Sequence, residues 1–442
     1  VTSNRKSISN AIWLLSEQMI VLVITFLISV FLARHLGPAL FGEYNFILAF
    51  VALIAPFTSL GLNAIVTREL VNGVDQVRVL SNSVIMRFSG GVIGALIAIV
   101  LLIVFREHIA VDYEWLIIFA LVNIMSAFYV IDFYFHAEET SQYLVAVRLV
   151  ILIVTSIAKV IGLIYQFDLS FFLWVAFANI MLKGIGYMLM YFYYNERLLN
   201  KVSSRAVIWD KDYSLSLLNQ SKWLILSGFM YAICLKIDQL MLGQMVNASA
   251  VGTYAVAAKL SEVWYFLPLA ITTSFFPKLL KVRSDKDNYY QQIQILCHYL
   301  LAMAVIIAVL VSLISPWLLP FAFGASYLPA VSILNIHIWG ACFIFMRTLL
   351  SKWFIAEGLL KFSLFTHGIA AVINVILNLF LIPKFGGIGA AYATLISYGL
   401  TSYALLWCNP QTLIMARIMT KSLLFPWFLG KDLVSYLRKP PH

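Results

Sequence analysis

The sequence predicts an all-α protein that crosses a membrane twelve times, with its helices in two six-helix bundles. Three observations carry that reading. Of the 442 residues, 62% are hydrophobic and only 11% charged, where an ordinary soluble domain carries about 25% charged residues. Twelve apolar stretches reach the roughly 20 residues that a helix needs to cross a bilayer. The basic residues between those stretches fall almost wholly on one side. A mean hydropathy of +0.92 agrees with all three.

In chain order the stretches are 11–33, 44–66, 84–105, 115–136, 144–166, 169–194, 222–246, 249–276, 293–315, 330–354, 362–382 and 388–408. The first begins near Ala11 and is long enough to stay as a membrane helix, so no short leader precedes a polar chain. With the N-terminus inside, the outer loops hold only Arg34, Arg106 and Lys384, and the spans hold Lys159, Lys183, Lys236, Lys259 and Arg347. The other 22 of the 30 Lys and Arg residues, Arg87 and Arg148 among them, count with the cytoplasmic segments. That asymmetry places both termini and the 195–222 linker in the cytoplasm. The net charge of +10 is therefore spread over many short loops and does not read as a nucleic-acid surface. In the tail, Arg417 and Lys421 share one face of "TLIMARIMTKSLLFPWFL". An amphipathic helix on the cytoplasmic surface fits residues 411–442 better than another span.

The chain repeats itself. "FGEYNFILAF" (41–50) aligns with "VGTYAVAAKL" (251–260), matching Gly42 to Gly252 and Tyr44 to Tyr254. "FHAE" (135–138) aligns with "FIAE" (354–357), and "IYQF" (164–167) with "IPKF" (382–385). The division expected from this is a bundle over 1–205, a linker end over 206–221, a second bundle over 222–410 and the tail. Six spans return the chain to its starting side, so the halves share one orientation, a common transporter plan. Pro56 in the second span and Pro268 in the eighth lie at nearly matching positions. Interrupted spans at corresponding places point to a central site, and these prolines are the hinge candidates.

The charges inside the spans are not repeated. In "CLKIDQLMLG" (234–243), Lys236 and Asp238 aim to different sides of one helix. At the repeat shift they face Phe26 and Ile28, while Lys259 and Glu262 face Ala49 and Ala52. The architecture is thus built in the other half without them. Lys259 and Glu262, three residues apart, are able to pair. Glu17 and Asp132 complete the acidic set, toward the cytoplasmic side. The deeper charges lean positive, and such residues normally face a watery interior rather than lipid. Lys159, Lys183, Lys236 and Lys259, with Arg347 on the cytoplasmic side, are the candidate anion site. Asp238 and Glu262 are the candidates for binding a coupling ion, H+ or Na+. Other patterns carry less. The four cysteines read as packing thiols. "GGIGAA" (386–391) lacks the strand that a dinucleotide site needs. The two "DKD" triplets sit in short loops, the histidines have no metal-ligand spacing, and no metal or cofactor is expected.

Three segments together resemble the polysaccharide-transporter branch of the MOP (multidrug/oligosaccharidyl-lipid/polysaccharide) superfamily, and Wzx-type O-antigen flippases in particular. They are "FLARHLGPALFGEYNFILAFVALIAPFTSLGLNAIVTREL" (31–70), "KIDQLMLGQMVNASAVGTYAVAAKLSEVWYFLPLAI" (236–271) and "IPKFGGIGAAYATLISYG" (382–399). The resemblance spans about residues 5–410. It implies the MATE-like fold and a transporter rather than an enzyme. It also implies alternating access through a cationic cavity for an undecaprenyl-pyrophosphate-linked oligosaccharide. The setting it implies is the bacterial inner membrane, with the chain a monomer among membrane lipids, beside an O-antigen polymerase and a chain-length regulator. The alternatives are a multidrug or ion antiporter on the same fold, which would want an acidic cavity, and a membrane glycosyltransferase or O-antigen polymerase. The latter needs a large outer loop, and the longest here is about "REHIAVDYE" (106–114). A lipid II flippase is a nearer rival, in a branch that usually has fourteen spans.

Overall fold

The computed structural model describes residues 2–104, 111–198 and 208–424. Much of the expected linker, part of the 106–114 loop and the tail beyond residue 424 lie outside the described residues. The described chain is helical throughout: α1 (Thr2–Ser59), α2 (Asn63–Val71), α3 (Gln76–Val104), α4 (Tyr113–Val122), α5 (Ile131–Ala137), α6 (Gln142–Ile164), α7 (Leu169–Tyr193) and α8 (Lys211–Met245) are followed by α9 (Ala248–Glu262), α10 (Phe266–Lys281), α11 (Lys286–Phe323), α12 (Ala330–His337), α13 (Gly340–Glu357), α14 (Leu360–Phe385), α15 (Gly387–Ser402) and α16 (Leu413–Leu423).

Ten described segments are long and apolar enough to cross a membrane. The first, Ile12–Val71, holds 60 residues and contains two of the expected spans. α1 is two helices joined at Gly37, each long enough to cross a bilayer core of about 30 Å. It changes direction at Gly37, whose φ of 69° suits a residue without Cβ, immediately before Pro38. The last apolar stretch falls on α15, which has 16 residues, and the short 3₁₀ turn Ala404–Cys408.

Packing gathers the chain into two units. The first is Val1–Ala255 with Ala322–Ser326; the second is Val256–Phe321 with Tyr327–His442. The repeat-based division at 205/206 is a statement about sequence similarity, which packing does not decide. α8 starts at Lys211, well before the apolar stretch at 222, so its first turns are polar.

In the first unit, Leu62, Val66, Val79, Phe135, Leu144 and Leu217 form the heart of an aromatic-rich core. Asn82 ties the start of α8 to α3. Its Oδ1 accepts from the Asp210 amide at 2.8 Å and from Ser214 Oγ at 2.8 Å, and its Nδ2 donates to the carbonyls of Arg78 and Ile208. The two repeat glycines meet each other. A methyl on Gly42 would overlap the Ala248 carbonyl, and one on Gly252 would overlap the Pro38 carbonyl. Small residues at such a crossing let helix backbones touch.

Helices break near both hinge candidates. Four residues after Pro56 the chain passes through Leu60 and Gly61, with φ of 49° and 58°. Pro268 is the third residue of α10, just after the 3₁₀ turn Val263–Tyr265. Proline is tolerated in a first helical turn, where its missing N–H has no partner to lose. The span from Tyr113 to Ala137 is also interrupted, by a 3₁₀ stretch over Asn123–Val130.

In the second unit, α16 is amphipathic. Met415, Ala416, Ile418 and Met419 are buried while Arg417 and Lys421 are exposed. Its apolar side meets protein: Gln294 of α11 donates to the Ile418 carbonyl at 3.0 Å, and Tyr403 Oη lies 2.9 Å from Thr420 Oγ1. At 11 residues it is too short to span.

Candidate functional site

The densest ionic cluster lies in the first unit, where four helices meet. Arg148, on α6, grips Glu17 of α1 with both edges of a fork: Nε donates to Oε1 at 2.5 Å and Nη2 to Oε2 at 2.7 Å. Its Nη1 donates to Asp132 Oδ1 of α5 at 2.7 Å and to the Tyr187 hydroxyl of α7 at 3.3 Å. The side chains of Arg148, Glu17 and Asp132 are 13%, 8% and 20% exposed. Asp132 Oδ2 lies 3.5 Å from His136 Nε2, and His136 Nδ1 lies 3.0 Å from Ser141 Oγ. Such charge-assisted, two-pronged bonds are about twice as strong as neutral ones.

One candidate lysine stands beside this cluster, and a second lies about 16 Å further along α6. Lys183 stands one turn before Tyr187 on α7, half-buried, and within electrostatic reach of Arg148, Glu17 and Lys159. Lys159 follows Arg148 by three turns on α6, which returns it to nearly the same face. Among the described residues neither lysine has a hydrogen bond or an ion pair.

The remaining candidates stand elsewhere. Asp238 is buried and turned to a neighbouring helix, where the Tyr254 hydroxyl of α9 donates to its Oδ2 at 2.6 Å. Lys236, two residues earlier, is half-buried. Lys259 and Glu262, both half-buried, end α9 in the second unit. Arg347 of α13 is buried in that unit. It donates to Thr366 Oγ1 at 2.8 Å and to the Thr401 carbonyl at 3.4 Å, and its Nη2 lies 2.9 Å from His367 Nδ1.

Sequence reasoning missed Arg148 and Arg87 by counting both with the loops. Arg87 is 4% exposed on α3. Its Nε donates to the Thr58 carbonyl and its Nη2 to the Ser126 carbonyl, each at 3.2 Å. It therefore braces the end of α1 against the 3₁₀ interruption at 123–130. Both arginines lie a few residues inside an apolar stretch, which was the available signal. The second unit also holds a cavity of about 820 Å³ lined by Leu301, Val305, Trp339, Phe343, Leu400 and Tyr403. Its apolar walls do not suit an anion. Among the described residues, no group of three or more His, Cys, Asp or Glu side chains is placed to hold a metal.

A family described as "Polysaccharide biosynthesis protein" matches residues 7–283, well over half of the chain. The chain belongs to that family. Curated relatives of the chain bear names of the same kind. A "Putative O-antigen transporter" of Shigella flexneri is 25% identical, over 90% of this chain and 97% of that one. A "Probable low-salt glycan biosynthesis flippase" of Haloferax volcanii is 23% identical, over 88% of this chain and 84% of that one. A "Probable flippase" of the same organism is 33% identical over 38% of this chain and 36% of its own length, so that match spans about a third of each protein. Among solved structures, a lipid II flippase in an inward closed conformation superposes with a TM-score of 0.66 at 15% identity, covering 98% of this chain and 94% of that one. An inward-facing MATE multidrug resistance transporter of the MOP superfamily gives 0.66 at 13% identity, covering 90% of this chain and 96% of that one. At such identities the likeness shows the fold: this family member is an all-α, multi-pass membrane protein with the MOP fold. Its curated relatives are named as flippases and a transporter, not as enzymes.

Proposed function

We propose that the chain flips undecaprenyl-pyrophosphate-linked O-antigen repeat units from the cytoplasmic to the periplasmic leaflet of a bacterial inner membrane, by alternating access. The observation that carries this reading is the cluster at Arg148, with Lys183 beside it and Lys159 three turns along α6, neither with a hydrogen bond or ion pair among the described residues. Pyrophosphate oxygens accept from guanidinium and ammonium groups in charge-assisted bonds. Further positive charge is assigned to Lys236 in the first unit and to Lys259 and Arg347 in the second, and the hinges to Pro56 and Pro268. Both termini face the cytoplasm, following the basic residues. The lipid-linked glycan and the surrounding lipids are the chain's principal partners, with a polymerase and a chain-length regulator downstream, and the working unit is a monomer. Asp238 and Glu262 are the places where H+ or Na+ would couple.

The test is complementation of a strain lacking the gene. Alanine at Lys159, Lys183, Lys236, Lys259, Arg347 or Arg148 should lower O-antigen display at normal protein level, with lipid-linked repeat units accumulating inside. Full complementation by all six variants would refute the anion-site reading.

A further inference from the structure

Glu17 and Asp132 occupy, on Arg148, the positions that a diphosphate would take. We propose that these two carboxylates select the substrate by charge, admitting an anion only when it displaces both of them together. The inference rests on reading the first-unit cluster as an anion site.

The geometry supplies the reasons. Arg148 has no free edge: Nε and Nη2 face Glu17, and Nη1 faces Asp132. Carboxylate and phosphate present matching pairs of oxygens to that fork, so the carboxylates act as built-in competitors. A singly charged anion that replaced Glu17 would exchange one charge for another. Either anion leaves a displaced carboxylate without the partner that offsets its desolvation, and a singly charged anion brings no second charge to offset that cost. A diphosphate bears two charges and oxygens on two phosphorus atoms. It can take both edges of Arg148 and still meet Lys183, which has no hydrogen bond or ion pair among the described residues.

The two carboxylates differ in what they do when displaced. Asp132 keeps alternatives, with His136 at 3.5 Å and Arg87 within electrostatic reach. The hydrogen bonds of Glu17 among the described residues all go to Arg148. Glu17 is therefore the stronger determinant. It lies on α1 and Arg148 on α6, so displacement releases a tie between these helices as the substrate arrives. A monophosphate-linked lipid would fail to release it.

The experiment uses the full chain purified in detergent, with inorganic pyrophosphate as the polyanion and dimethyl phosphate as the monoanion, and binding read by intrinsic tryptophan fluorescence. The wild type should prefer pyrophosphate. In Glu17→Gln, which keeps the size and one acceptor oxygen, dimethyl phosphate should bind more tightly, and the preference should fall by about tenfold, the scale at which close charge pairs couple. Asp132→Asn should shift the preference the same way by less, and melting curves report folding of both. A wild-type preference retained in both variants overturns the inference. If pyrophosphate binding is at the same time lost in Arg148→Ala, the anion site stands and only the charge filter falls. If the wild type binds neither probe, both readings fall.

Discussion

Arg148→Ala would strand Glu17 as a buried carboxylate. Breaking a buried ion pair from one side costs about 3–5 kcal/mol, because the surviving charge keeps its desolvation penalty. The expected outcome is a lower melting temperature for Arg148→Leu and for Glu17→Leu. The double variant Glu17→Leu, Arg148→Leu should recover part of the loss, since replacing a buried pair by apolar groups is often neutral and Asp132 keeps His136 at 3.5 Å. A double-mutant cycle on the purified protein measures the coupling, and additive losses would contradict the pairing. Single residues were legible in sequence only where they stood out from their surroundings. Lys183 is such a case, deep in an apolar run with no acid nearby in the chain. Arg148 is not. It sits close enough to a span end to pass for a loop cation, and its partner Glu17 is 131 positions away. Periodicity carries no information about such a pair.

The break after Pro56 and the interruption at 123–130 meet on one side chain, Arg87. Its two bonds go to backbone carbonyls, those of Thr58 and Ser126. Arg87→Leu should therefore destabilise the folded protein by about 1.5–3 kcal/mol, the range for hydrogen bonds to a charged group. Amide exchange should rise at Asn123–Val130 more than in α6. A uniform change would argue that the arginine is not a local brace. The helix crossing at Gly42 and Gly252 gives a second test. Gly252→Ala puts a methyl against a carbonyl rather than a yielding side chain, so expression and melting temperature should both drop, whereas Gly228→Ala, with open space around its Cβ position, should be neutral. At this scale the sequence was informative. Hydropathy located the apolar stretches, and the matched glycines Gly42 and Gly252 touch. The 3₁₀ interruption was not legible, because "NIMSAFYV" has the composition of any membrane helix and contains neither proline nor glycine.

Across the whole molecule the distribution of charge makes two predictions. The first is topological. In a background lacking Cys234, Cys297, Cys342 and Cys408, a cysteine at Asp112 should react with an impermeant reagent from outside, and one at Lys222 should not. The reverse pattern would invalidate the orientation drawn from the basic loops. The second concerns energy. A diphosphate link carries about two negative charges, and a cell interior is electrically negative. Each charge moving outward gains about 2.3 kcal/mol per 100 mV, so two gain roughly 4–5 kcal/mol if the site cations stay in place. The measurement that bears most directly on the proposed function is flipping of a polyprenyl-diphosphate oligosaccharide in proteoliposomes with an imposed inside-negative potential, equal pH on both sides and no Na+. The expected result is movement from the inner to the outer leaflet that quickens with the potential, falls sharply in Arg148→Ala and Lys183→Ala, and largely survives Asp238→Asn. Movement that ignores the potential and both cation substitutions, or no movement at all until a pH or Na+ gradient is supplied, would contradict it.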